Sequence, residues 1–153
     1  MSDETLTFMM GEFEAEFPVD LQYASNHMWA ERSSDSAFKF GFTAYAVRLL
    51  QDVYFLDWLI DSPAKLELGQ EIGSIESKKA ESSLYAPATG ELTTFNEQLM
   101  EDPSMINVDK YARGWLFEMN SEDAALMPVD QYVQHLDSVW KKTQRTIKGQ
   151  LNE

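Results

Sequence analysis

Two adjacent lysines, Lys78 and Lys79, lie between two short runs that read as strands meeting at a polar tip, within Gly73-Ser74-Ile75-Glu76-Ser77-Lys78-Lys79-Ala80-Glu81-Ser82-Ser83-Leu84-Tyr85-Ala86-Pro87-Ala88-Thr89-Gly90. The apolar positions Ile72, Ile75, Leu84 and Ala86 are predicted to pack beneath, while Pro87 and Gly90 punctuate the return of the chain. A primary amine on a tight, solvent-facing turn is placed to form an amide with a carboxylic acid and so carry a long swinging arm. The same residues also suit an ordinary charged surface hairpin. Local chemistry does not choose between these readings, nor between the two lysines. Neighbouring ammonium groups repel modestly in water, and acylating one removes the repulsion.

Other chemistry is thinly represented. The chain has no cysteine, which excludes disulfides, cysteine-ligated metals and thiol catalysis by the polypeptide itself. Any thiols must arrive with a cofactor. His27 and His135 lack metal-ligand spacing and read as structural or exposed. There is no Gly-rich phosphate loop and no Gly-x-Ser-x-Gly nucleophile turn, and the carboxylates are scattered rather than paired. Trp29, Trp58, Trp115 and Trp140 read as core or interface residues. Nothing marks a catalyst.

From Tyr23 to Met119 the chain resembles the H protein of the glycine cleavage system, through several blocks in order. Tyr23-Ala24-Ser25-Asn26-His27-Met28-Trp29 resembles the family's opening, which usually reads His-Glu-Trp at the end. Gly41-Phe42-Thr43, Ala46, Leu50 and Asp52-Val53-Tyr54-Phe55-Leu56-Asp57 resemble its helix-to-strand segment. Glu76-Ser77-Lys78-Lys79-Ala80 resembles the lipoyl site, commonly Glu-Ser-Val-Lys-Ala. Tyr85 to Glu91, Asn96, Asp102-Pro103, Ile106-Asn107, Tyr111 and Gly114-Trp115-Leu116 complete the pattern.

The resemblance implies a mainly β fold, a lipoyl/biotinyl-type barrel-sandwich hybrid with peripheral α-helices and a C-terminal amphipathic helix. It implies lipoate attached covalently to Lys79, with Glu76 recognised by lipoylating enzymes. Read from its own chemistry, Glu76 is a solvated hairpin carboxylate, paired with Lys78 at little gain in stability. The role implied is that of a non-catalytic carrier. Its arm would accept an aminomethyl group from P protein (glycine decarboxylase), pass it to T protein (aminomethyltransferase), and be reoxidised by L protein (dihydrolipoyl dehydrogenase). Met28, Gln51 and Lys78 depart from the family's usual residues. With both terminal extensions they keep open a paralogous lipoate-bound carrier of another pathway such as sulfur oxidation; an unmodified interaction module that has kept only the fold is a second alternative. A biotin carrier is disfavoured, because the methionine-flanked lysine of those domains is absent.

The elements that must hold the tip follow from patterning. Glu12 to Phe17 alternates carboxylate and apolar residues, the period of a half-buried strand, and Pro18 ends it. Met28–Arg32 and Phe38–Phe42 form a predicted hairpin around Ser33-Ser34-Asp35-Ser36, and Thr43 is placed to cap a helix running to about Leu50. Val53-Tyr54-Phe55-Leu56 and Trp58-Leu59-Ile60 are continuously apolar and are assigned to the core. Gly90 to Phe95 and Trp115 to Met119 read as strands, Asn96 to Met100 as a brief helix, and Ser121-Glu122-Asp123 as a helix start. From Val129, apolar residues at Tyr132, Val133, Leu136, Val139, Trp140 and Ile147 carry a helical period, with Lys141, Lys142, Arg145 and Lys148 gathered late.

These units divide the 153 residues into an N-terminal extension (1–20), a carrier domain (21–127) and a C-terminal helical extension (128–153). The net charge of −14 argues against nucleic acid and anionic membranes as partners, and suits steering toward basic protein surfaces. No apolar run approaches the roughly 20 residues that span a bilayer. The acidic start, Met1-Ser2-Asp3-Glu4-Thr5, lacks the basic region of a signal peptide, so a cytoplasmic protein is expected.

Overall fold

A computed structural model describes residues 4–151, with side chains through Lys142. Fifteen elements run in the order β1 (Thr5–Met10), β2 (Phe13–Pro18), β3 (Gln22–Tyr23), β4 (Met28–Arg32), β5 (Ala37–Phe42), α1 (Ala44–Leu50), β6 (Val53–Trp58), β7 (Ala64–Leu66), β8 (Glu71–Ser77), β9 (Glu81–Tyr85), β10 (Gly90–Phe95), α2 (Gln98–Glu101), α3 (Met105–Val108), β11 (Phe117–Asn120) and α4 (Val129–Leu151).

Two antiparallel sheets share one apolar core. The larger has the strand order β3-β4-β5-β11-β10-β7, and the smaller β6-β8-β9. Phe38, Phe40, Leu92 and Phe117 from the first meet Leu56, Ile72, Ile75 and Leu84 from the second, all buried. Fully burying one such side chain is worth about 1.5–3 kcal/mol, so this core fixes the smaller sheet firmly beneath its exposed end. The arrangement is the flattened barrel-sandwich hybrid expected of the chain. Gly90 lets β10 approach β11, because a Cβ there would sit 1.9 Å from the carbonyl oxygen of Asn120.

A second apolar cluster lies beside the first. The β1–β2 hairpin contributes Phe8, Met10, Ala15 and Phe17, while Tyr23, Trp29, Ala44 and Tyr45 come from the adjoining elements. Helix α4 covers it with Tyr132 and Leu136, both without solvent exposure. The Tyr132 ring stacks on Tyr23 at 4.7 Å and meets Phe17 edge-on at 5.3 Å. The alternation read in residues 12–17 therefore marks a real half-buried strand. Ile147, Arg145 and Lys148 fall outside the described side chains.

Three expectations need correction. Tyr54, Phe55 and Leu59 are not in the core but exposed, at 63%, 47% and 61%. The reason is that β6 is an edge strand whose register shifts between Val53 and Phe55, so Tyr54 and Phe55 both leave the inner face. Only Val53 and Leu56 of this run are buried. Ser121 starts no helix; its hydroxyl donates to the Thr89 carbonyl at 2.6 Å and its amide to Ser36 at 2.7 Å, leaving nothing to cap. The short helix after Asn96 begins at Gln98, whose amide donates to Asn96 Oδ1 at 3.2 Å.

Candidate functional site

The exposed end of the smaller sheet is the hairpin joining β8 to β9. Glu76 pairs directly with Glu81, and Ser77 to Ala80 close the turn. The Ser77 amide donates to the Ala80 carbonyl at 2.8 Å, and the Ser77 hydroxyl both donates to that carbonyl (3.1 Å) and accepts from the Ala80 amide (3.2 Å). Ser77 is buried, so these bonds are shielded from water. Lys78 and Lys79 occupy the two positions at the apex, and both are exposed. Ile72, Ile75 and Leu84, buried at 0%, 0% and 3%, make the floor under them. The sequence pattern of the hairpin is thus realised in full.

The two lysines are held differently. The Lys78 amide donates to the Asp52 carbonyl at 2.8 Å, which ties that residue to the connection between α1 and β6. Lys79 makes no hydrogen bond or ion pair to the described residues. Glu76 is half-buried, and the ion pair expected between it and Lys78 is absent among the described residues. As a neighbour on the strand rather than at the apex, it faces Glu81 across the ladder instead. Two carboxylates therefore flank two ammonium groups at the tip.

The connection that anchors Lys78 is itself built by a residue whose role the sequence left unread. Asn107 accepts from the Val53 amide at 2.9 Å and donates to the Gln51 carbonyl at 2.6 Å, bracketing Asp52. Helix α1 is capped at its start by Thr43, whose hydroxyl accepts from the Ala46 amide, as expected, and at its end by Gln51. Gln51 sits at φ 60°, ψ −142°, a region that favours glycine.

Beside the tip lies a cleft of about 250 Å³. Phe42, Ala46, Leu49, Leu50, Ile75 and Leu84 give it apolar walls, while Asn26, His27, Ala80, Ser82 and Ser83 give it a polar edge. No aspartate, glutamate, lysine or arginine lines it. Asn26 donates to the Tyr85 carbonyl at 3.0 Å, and its buried Oδ1 has no partner within the described residues.

His27 is neither exposed nor isolated. Its ring lies 6.0 Å from that of His135 and 4.7 Å from that of Tyr45, and its Nδ1 is 2.9 Å from the Tyr132 hydroxyl. Burial, with His135 nearby, lowers its pKa from 6.5 to about 4, so it is neutral at physiological pH. No group of three or more potential metal ligands occurs among the described residues. The arrangement offers an accessible amine on a stiff turn with an uncharged cleft alongside it.

Comparison with known proteins bears on what such a turn carries. Residues 21–139 match the family described as glycine cleavage H-protein. A glycine cleavage system H protein of Mycolicibacterium gilvum is 39% identical over 112 residues, covering 73% of this chain and 85% of the relative. One from Idiomarina loihiensis is 41% identical over 108 residues, covering 71% and 83% respectively. The crystal structure of a glycine cleavage system H protein from Mycobacterium marinum superposes with a TM-score of 0.69 at 29% identity, covering 77% of this chain and 97% of that one. With a matched family spanning most of its length and relatives well above 30% identity, the chain belongs to the glycine cleavage H-protein family, a family of non-catalytic lipoyl carriers.

Proposed function

We propose that this chain is the lipoyl carrier of a glycine cleavage system, with lipoate joined by an amide to Nζ of Lys79 and Glu76 read by the lipoylating enzymes. The observation that carries the proposal is the tip itself, an exposed, unengaged Lys79 at the apex of a hairpin whose floor is fully buried. Lys78 is exposed too, but its backbone is fastened to Asp52. When bound, the lipoyl group supplies a disulfide–dithiol pair able to take up an aminomethyl group and two electrons and to release both.

The polypeptide's contribution is positional. The hydrogen-bonded Ser77–Ala80 turn restricts where the arm begins, so the volume its end searches is small and its effective concentration at a docked enzyme high. The cleft begins at Ala80, one residue from the attachment point, and its uncharged walls suit an apolar ring. Phe42, Ala46, Leu49 and Leu50 would exclude water from the ring's apolar faces, and Asn26 and His27 would hold its polar end. Chemistry on the arm falls to the partners, P protein, T protein and L protein, and the chain's negative charge favours encounter with basic surfaces around their active sites. The proposed compartment is the cytoplasm; a chain without cysteine makes no demand for an oxidising one.

Reconstitution tests the proposal. The lipoylated protein, supplied with glycine, P protein and T protein, is expected to support glycine-dependent turnover. No turnover with enzymes that are competent on another H protein would reject it.

A further inference from the structure

We propose that Tyr132, on the C-terminal helix, is a positioning residue for the cleft beside the lysine tip, its one hydroxyl tying the two sides of that cleft together. His27 forms part of one side and Ala46, Leu49 and Leu50 of α1 form the other. The Tyr132 hydroxyl lies 2.9 Å from His27 Nδ1 and 3.0 Å from Thr43 Oγ1. Thr43 is fully buried and is the residue that caps α1, its Oγ1 accepting from the Ala46 amide at 3.4 Å. A second bond, from the Thr43 amide to the His27 carbonyl at 3.1 Å, runs parallel to this link.

A phenol is both donor and acceptor, so the chain of bonds runs one of two ways: Thr43 to Tyr132 to Nδ1 of His27, with the imidazole proton on Nε2, or Nδ1–H of His27 to Tyr132 to Thr43. In either order the one hydroxyl serves both partners and holds the ring in a single tautomer. Both its carbonyl and its ring are held, which lets His27 keep a left-handed backbone, φ 72°, of the kind glycine usually adopts. The groups facing its ring are Tyr132 and His135 of α4 and Tyr45 of α1, none of which supplies a negative charge at neutral pH. The tyrosine ring has its own support, stacked on Tyr23 and fully buried, so the hydroxyl is fixed independently of the bonds it makes. The C-terminal helix thereby acts at a cleft formed by other elements. The meaning of the cleft for an arm rests on the carrier reading above; the hydrogen-bonded tether does not.

The test uses the full chain with Tyr132→Phe, which removes only the hydroxyl, and Thr43→Val and Thr43→Ser, which remove and keep the other partner. Without lipoate, long-range ¹H–¹⁵N spectra of the imidazoles report the tautomer and titration of His27. The wild type and Thr43→Ser are expected to show one and the same single tautomer. Tyr132→Phe should show mixed tautomers, because Nδ1 is released from the hydroxyl that fixed its role. With lipoate attached and reduced, alkylation of its thiols by iodoacetamide should be about fivefold faster in Tyr132→Phe and Thr43→Val than in the wild type, the size expected from losing one buried hydrogen bond. Unchanged tautomer in Tyr132→Phe overturns the proposal. So does a changed tautomer with unchanged thiol reactivity. Failure of the carrier reading shows separately, as absence of a lipoyl adduct on the wild-type chain, and the tautomer result then decides the tether alone.

Discussion

The amide of Lys78 donates to the carbonyl of Asp52 at 2.8 Å, whereas its neighbour Lys79 has no hydrogen bond to the described residues. Two side chains of identical chemistry are therefore distinguished by their backbones. Amide hydrogen exchange should report this directly. Exchange at Lys78 is expected to be slower than at Lys79 by at least about tenfold, because it requires opening of a bond in the folded hairpin. Equal exchange at the two positions would contradict the asymmetry.

The segment that accepts that bond is held by Asn107, which brackets Asp52 through Gln51 and Val53. Asn107→Ala removes one acceptor and one donor and leaves the Val53 amide, on a buried residue, without its partner. A loss of about 2 kcal/mol in urea unfolding is expected from two such bonds. Protection of the Lys78 amide should fall in the same variant while the Leu84 amide, deeper in the sheet, keeps its own. A stability loss with Lys78 protection intact would separate Asn107 from the tip.

Gln51 holds a conformation, φ 60° and ψ −142°, that costs side-chain-bearing residues about 1–3 kcal/mol. Gln51→Gly relieves that strain and gives back about 0.5–1 kcal/mol through the greater freedom of the unfolded chain. A net stabilisation of about 1 kcal/mol is expected, read as a higher urea midpoint at unchanged m-value. Destabilisation would show that the glutamine side chain supplies something the geometry does not reveal.

His27 has a folded pKa of about 4, below the 6.5 of the unfolded chain, chiefly through burial. Between these values the unfolded state binds the proton and the native state does not. Stability from this group is therefore complete above about pH 6.5 and lost as pH falls toward 4. Unfolding free energies measured from pH 4.5 to 7.5 should rise with pH more steeply in the wild type than in His27→Gln, by less than one proton. Parallel profiles would contradict the assignment of a neutral, half-buried imidazole.

What could be read from the chain and what could not divide along physical lines. The hairpin was legible because Ile72, Ile75 and Leu84 place apolar groups on one face while a polar run of two lysines breaks the pattern. Thr43 was legible as a cap because N-capping is a local interaction, settled within three residues. The exposure of Tyr54 and Phe55 was not, since an apolar run does not say which strand it will neighbour or where a bulge will turn it. Ser121 misled for a related reason. A serine before two acidic residues has the composition of a helix start, yet its hydroxyl had a better partner at Thr89, 32 residues away.

The candidate site shows the same divide. Lys79 and Glu76 stand in a contiguous motif, so resemblance reached them without any knowledge of the fold. The meeting of His27 with Tyr132 joins residues 105 positions apart, and no spacing rule anticipates it. Asn107 was noticed as part of a matching block, but its task of holding Gln51 and Val53 appears only when α3 is packed beside the α1–β6 connection.

Site-mapped mass spectrometry of the protein produced with lipoate and lipoylating enzymes tests attachment at Lys79 most directly, with Lys79→Arg and Lys78→Arg beside the wild type. A single lipoyl adduct is expected on the wild type and on Lys78→Arg, and none on Lys79→Arg. An adduct that survives Lys79→Arg and vanishes in Lys78→Arg, or a wild-type chain that stays bare, would contradict the account.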